Sequence, residues 1–104
     1  MNPKLNVIEG SGFNIPFKDN YFNLVFTNNV LIHIHPNNLN KIMREIYRVS
    51  NKYILGFEYF NDSLVEINYR KHKNKLWKGD YSKQFQKLNK KIKVVKEIIY
   101  ENKD

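Results

Sequence analysis

Cysteine and alanine are both absent from this 104-residue chain, and only four glycines and three prolines occur. Without cysteine there are no disulfides and no thiolate metal ligands. No apolar run approaches the roughly 20 residues needed to span a bilayer. The opening MNPKLNVIEG lacks the pattern of a signal peptide. A cytoplasmic protein with no membrane partner is therefore the default expectation. Acidic residues are also scarce, ten against eighteen lysines and arginines, which leaves a net charge of +8.

What is present is globular in kind. Apolar residues make up 41% of the chain and aromatics 14%, too much for a disordered segment. Seven Tyr and seven Phe can supply much of a modest core, and residues 1–104 are read as one domain. The positive charge gathers late. From Arg70 to Lys96 basic residues recur with Asp80 as the only acid. Such a field attracts phosphates or nucleic acid. It is also what a chain rich in Lys, Asn and Ile carries by composition alone, as a solvated face.

Along the chain, Leu5, Val7 and Ile8 suggest a short strand that ends at Gly10-Ser11-Gly12, where two glycines permit positive φ and close backbone approach. Pro16 biases Ile15 towards an extended conformation, and Lys18-Asp19-Asn20 is a polar turn. Tyr21 to Thr27 is compact and apolar, the profile of a strand covered on both faces, and Asn28-Asn29 stops it. A second apolar patch, Val30 to Ile34, carries His33 and leads to His35. Pro36 with Asn37 or Asn38 opens a helix in which Leu39, Ile42, Met43, Ile46 and Val49 share one face. Lys52 to Phe60 reads as another strand, with Glu58 inside an apolar run. Leu64 to Asp80 has no assignable pattern. Tyr81 to Leu88 suits a short helix, and Lys91 to Tyr100 a terminal edge strand.

Strand, helix and strand in this order argue for a parallel α/β sheet. The segment IPFKDNYFNLV, Ile15 to Val25, resembles the loop and fourth strand of class I S-adenosylmethionine-dependent methyltransferases, commonly LPFxDxSFDLV. Glu45 with Arg48-Val49 matches the end of the following helix in that family. The later segments VLIHIHPNNL, YILGFEY and EINYRKHKNKLWKGD are similar to a narrower group, the pseudaminic acid biosynthesis-associated methylases. Lys71 stands where that group usually has glycine. The resemblance implies a partial Rossmann-like methyltransferase fold lacking the first two strands. The glycine-rich cofactor loop and the ribose-gripping acid of the second strand have no counterpart here. Ser11 stands in place of the adenine-side acid and Asn23 in place of the strand acid.

Carried over by position, the resemblance places Gly10, Ser11, Gly12 and Phe13 around the adenine of S-adenosylmethionine, and Thr27, Asn28 and Asn29 beside its sulfonium. His33 and Glu58 are the candidate catalytic bases, since an imidazole or carboxylate can take a proton from an acceptor hydroxyl or amine. Tyr59, Glu66, Tyr69, Arg70 and Asp80 are candidates for the acceptor side, and Arg70 suits an acidic sugar. Each has a plain alternative: a glycine turn, a strand stop, a packing histidine, a local salt bridge or a helix cap. His33-x-His35 lacks a third ligand, so no metal is expected. Trp77 is expected to pack in the core or a lid rather than to serve as a stacking platform.

Three functions are open at this level. One is methyl transfer to a small acceptor in nonulosonic acid or surface-glycan biosynthesis, dependent on a partner or a rearrangement to complete the cofactor site. The second is a non-catalytic relic or subunit that pairs through an open sheet edge, as a homo-oligomer or with a complementing chain. The third, a small basic nucleic-acid-binding module, lacks any accompanying motif.

Overall fold

The computed structural model describes residues 8–67 and 76–99. The expected strand at Leu5–Ile8 therefore lies almost wholly outside the described residues, as do Tyr69 and Arg70. The first regular element is strand β1, Phe22–Asn28. A short 3-10 turn at Leu31–His33 follows and leads into helix α1, Pro36–Val49.

The apolar spacing dictates α1. Leu39, Ile42, Met43, Ile46 and Val49 fall on one stripe, and all five are buried. Pro36 occupies the first turn, where its missing N–H costs nothing. The cap is His35, whose Nδ1 accepts from the Asn37 amide at 3.1 Å. A histidine in this role escapes a search for the usual Ser, Thr, Asp or Asn. Ser50 leaves the helix in an extended conformation, and strand β2, Ser50–Phe57, begins there without a loop.

β1 and β2 pair in parallel, Leu24 opposite Tyr53, Phe26 opposite Leu55 and Asn28 opposite Phe57, with an irregularity between Phe22 and Leu24. The connection through α1 makes a βαβ unit. Val25 and Ile54 turn towards the helix and pack against the core, and Thr27 is buried. The alternate residues Leu24, Phe26, Tyr53, Leu55 and Phe57 turn the other way and are exposed. The expectation of a strand covered on both faces is corrected on this point: among the described residues a helix covers one face only. A continuous apolar run encodes two apolar faces but cannot say what lies against each.

Beyond β2 the chain forms two short strands, β3 at Val65–Glu66 and β4 at Trp77–Lys78, paired antiparallel. Phe60 bridges Gly79. A Cβ on Gly79 would stand 2.9 Å from Leu64 Cδ1, so a larger residue here requires the Leu64 side chain to shift. Helix α2, Tyr81–Leu88, has the bounds expected of it. The core joins Leu31, Ile32, the α1 stripe, Leu76, Tyr81 and Phe85, with Trp77 also buried.

Two further expectations are overturned. Residues 92–99 form no strand, and Tyr100 lies outside the described residues. Val94-Val95 and Ile98-Ile99 are adjacent pairs rather than alternating ones, so no single sheet face collects them. No glycine among those described has positive φ; the left-handed positions are Asn20 and Asn29. Asn tolerates that region through local hydrogen bonding of its side chain.

One guanidinium ties the loop before β1 to α1. Arg48 donates from Nε and Nη2 to both oxygens of Glu45, at 2.7 and 3.0 Å. It also donates to the Ile15 carbonyl at 2.8 Å, the Phe17 carbonyl at 2.8 Å and Asp19 Oδ1 at 2.9 Å. These bonds match the five donors of the fork. Glu45 accepts in return from the Ile15 amide at 2.7 Å, and the Asn20 amide donates to the Arg48 carbonyl at 2.8 Å. The guanidinium holds the Glu45 carboxyl below its ordinary value of 4.5; burial opposes this, and the Ile15 amide adds to it.

A depressed carboxyl stabilises the fold above its unfolded value and loses that contribution as pH falls through its folded value. The acid limb of a stability–pH profile is therefore expected to flatten in Glu45→Gln. Arg48→Lys keeps the charge but not the fork, and should lower the thermal midpoint nearly as far as Arg48→Ala. Thermal melts across the acid range check both. A Lys variant as stable as the native chain would show that charge alone suffices.

Candidate functional site

The site is built where β1 and β2 end together. Thr27 lies opposite Gly56 and Asn28 opposite Phe57, and the Asn29 amide donates to the Phe57 carbonyl at 2.8 Å. With φ of 57° at Asn20 and 55° at Asn29, asparagines stand at the turns before and after β1. The expected strand stop at Asn28-Asn29 is thus a left-handed turn that sends the chain into Leu31–His33.

Glu58 stands just past the end of β2 and reaches across this corner. Its Oε2 accepts from the Thr27 hydroxyl at 2.7 Å and from the Val30 amide at 3.4 Å, and its Oε1 accepts from the Ile32 amide at 3.2 Å. The first amides of a helical turn have no partner within the turn, and a carboxylate there is favoured by charge as well. Ordinary end-of-strand geometry thus becomes a brace: β1, β2 and the turn meet on one side chain.

The turn is held from its other side by α2. The Tyr81 hydroxyl lies 3.5 Å from the Leu31 carbonyl and 3.3 Å from the Trp77 carbonyl. Burial, with a smaller contribution from the Glu58 charge, pushes the Tyr81 phenol up to about 12. With Ile32 buried and Ile34 half-buried on either side, His33 is exposed on the turn. His35 lies edge-on to Trp77, ring centroids 5.3 Å apart, and Trp77 is in the core as expected.

Thr27, Asn28, Asn29, the His33 turn and Glu58 therefore share one corner. Gly10 to Phe13 are anchored elsewhere. They form a tight turn in which the Asn14 amide donates to the Ser11 carbonyl at 3.1 Å and the Phe13 amide to Ser11 Oγ at 3.1 Å. A Cβ on Gly12 would touch Ile42 of α1, and Lys41 Nζ lies 5.5 Å from the Phe13 ring centre. Tyr59 is exposed, with Lys78 Nζ 5.9 Å from its ring centre. Glu66 is exposed on β3. Asp80 caps α2, accepting from the Lys83 amide at 3.1 Å and from Ser82 Oγ at 2.9 Å. Among the described residues, no group of three or more His, Asp or Glu is placed to hold a metal ion. No helix among the described residues is long and apolar enough to cross a membrane.

An open cleft of about 230 Å³ is lined by Ile8, Gly10–Gly12 and Ile15–Phe17. That is below the roughly 300–1,000 Å³ of small-molecule pockets. Apart from Ser11, the residues that line it are apolar or glycine.

The sequence model described as a methyltransferase domain matches residues 1–53, from before the Ser11–Asn14 turn into β2. The chain belongs to the methyltransferase domain family. No curated protein and no solved structure matches it significantly. Methyltransferases of this family generally bind S-adenosylmethionine, so the cleft can be tested against that molecule. A flat base fits its apolar walls. The ribose hydroxyls and the charged methionyl end do not, because no carboxylate lines the cleft and the nearby acid Glu45 is engaged by Arg48. The described residues fit the base end only.

Removing the Glu58 carboxylate leaves two turn amides and a buried threonine hydroxyl without it. Glu58→Ala is expected to destabilise the domain by about 2 kcal/mol, measured by denaturant unfolding. Exchange of the Val30 and Ile32 amides should accelerate more than that of α1. In Glu58→Gln the Tyr81 phenol should ionise at lower pH, seen by ultraviolet titration. Its raised pKa means stability falls as pH rises from 10 towards about 12. An unchanged titration would separate Tyr81 from Glu58.

Proposed function

We propose that this methyltransferase-family chain serves methyl transfer to a small acceptor, in the nonulosonic acid and surface-glycan setting suggested by its LIHIHP, YILGFEY and EINYRKH segments. The observation that carries the reading is the corner where Thr27, Asn28, Asn29 and the His33 turn are gathered by Glu58. In α/β sheets of this kind, ligands sit beyond the carboxyl ends of the strands. S-adenosylmethionine supplies the methyl group when bound. His33, exposed on a braced turn, takes the proton from the acceptor hydroxyl or amine. Glu58 holds that turn and the Thr27 hydroxyl in place, and also has acceptor capacity left for a proton. Tyr59, Glu66, Tyr69, Arg70 and Asp80 are assigned to the acceptor side, with the acidic group of a sugar facing Arg70.

The small cleft lined by Gly10, Ser11 and Gly12, with Phe13 next to it in the chain, takes the adenine end, and a partner or a local rearrangement completes the remainder. A second reading, association as a non-catalytic subunit, is favoured by the two-stranded sheet formed by β1 and β2, whose outer edges have no neighbouring strand among the described residues.

Calorimetric titration with S-adenosylmethionine tests the first reading. Saturable heat is expected, weakened roughly tenfold by Gly10→Val, because a side chain there would press against Pro16 and fill the cleft. His33→Ala should leave that binding intact and abolish transfer to an acceptor. No heat at millimolar cofactor from folded protein would overturn catalysis by this chain and leave the association reading standing.

A further inference from the structure

One residue closes the junction between the His33 turn and α1. Pro36 brings no amide to the first turn of the helix. The Asn38 amide donates to the His35 carbonyl at 2.8 Å, and the Asn37 amide donates to His35 Nδ1 at 3.1 Å. Just before His35, the Ile34 amide closes the 3-10 turn on the Leu31 carbonyl at 3.1 Å. The helix start and the turn that carries His33 thus meet at an imidazole.

Serine, threonine or asparagine in this place would cap without titrating. Histidine does not. Only the uncharged imidazole has a ring nitrogen free to accept, and once protonated both nitrogens are donors. Protonation therefore turns one N–H towards another and sets a positive charge at the positive end of the helix dipole. Packing on the buried Trp77 ring, with centroids 5.3 Å apart, does not depend on the proton, so the charge stays at the helix start.

No carboxylate offsets that charge. On α1 itself, Lys41 lies over the Phe13 ring. At the end of β2, Glu58 is committed to Thr27, Val30 and Ile32. Lys78 of β4 lies over the Tyr59 ring. On α2, Asp80 accepts from Ser82 and Lys83, and the Tyr81 hydroxyl bonds the Leu31 and Trp77 carbonyls. The turn adds His33, a second imidazole. No ion pair among the described residues includes His35.

We propose that His35 is a pH-sensitive cap: uncharged, it locks the His33 turn to α1, and protonated, it releases the Asn37 amide and loosens that junction. Its consequence for chemistry rests on the methyl-transfer reading above. A base must be uncharged to take a proton, and here its support must be uncharged too. Acidification then acts on the site twice, at His33 and through His35.

Amide hydrogen exchange followed by NMR on the full chain, from about pH 8 to about pH 5, tests the device with neither cofactor nor acceptor. A failure here leaves the methyl-transfer reading standing, and a failed cofactor titration leaves the cap. The quantity read is the protection factor, from which the intrinsic pH dependence of exchange is removed. The Ile34 and Asn38 amides are expected to lose roughly tenfold in protection on acidification, while Ile46, two turns further along α1, holds. His35→Asn caps without titrating, and should abolish the fall while keeping the protection seen at the alkaline end. His35→Ser serves in its place if that variant fails to fold. His33→Gln and His72→Gln, at the other two histidines of the chain, should leave the fall in place. Protection that does not change with pH in the native chain overturns the proposal. So does a fall that persists in a folded capping variant, which would assign it to His33 or to the Glu58 brace.

Discussion

The grip of Arg48 on the loop ahead of β1 is the constraint on which the rest depends. Among the described residues β1 has a strand neighbour on one side only, so what fixes its start against β2 must come from elsewhere. The guanidinium fixes the Ile15 and Phe17 carbonyls relative to the last turn of α1, and the Asn20 amide closes the arrangement on the Arg48 carbonyl. Because β2 begins at the residue after α1 ends, the same turn sets both strands. Parallel pairing therefore starts from a fixed origin. Lysine cannot substitute, since the geometry needs a planar fork rather than a point charge.

At the opposite end of the sheet, Glu58 plays the matching part. The two acids differ in what they serve. Glu45 is held by a cation and steadies a loop, whereas Glu58 accepts from amides and a hydroxyl and steadies the turn that presents His33. Tyr81 draws α2 into the same assembly, so the candidate base rides on a turn clamped between sheet and helix. A catalytic group on a loop is only as well placed as the structure under it. Here that structure is two hydrogen-bonded clamps and the buried pair Leu31 and Ile32.

Much of this could be read from residue order. The five-residue apolar stripe fixed α1, Tyr81 to Leu88 fixed α2, and the two apolar runs located β1 and β2 to within about three residues. The Glu45 and Arg48 positions were visible as a family pattern, but their partners Ile15, Phe17 and Asp19 lie about thirty residues earlier, beyond any local signal. Glu58 stood out as an acid in an apolar run. Its partners Thr27, Val30 and Ile32 are equally distant. His35 as a cap and the left-handed Asn29 were not foreseen, and the terminal strand at Lys91–Tyr100 was expected where residues 92–99 form none.

The sequence by itself determined the local and the periodic: which segments are helical, which are extended, where the chain turns, and that the elements follow in the order of a methyltransferase domain. Tertiary structure decided everything that requires two distant segments to meet. It assigned one apolar face of the sheet to α1, left the other uncovered among the described residues, and turned two acids into braces. It also set Gly10–Gly12 against the Ile15–Phe17 loop and His33 on a turn of its own. The physical reason is that a side chain's burial and bonding depend on what is packed against it, and periodicity reports only which way it points.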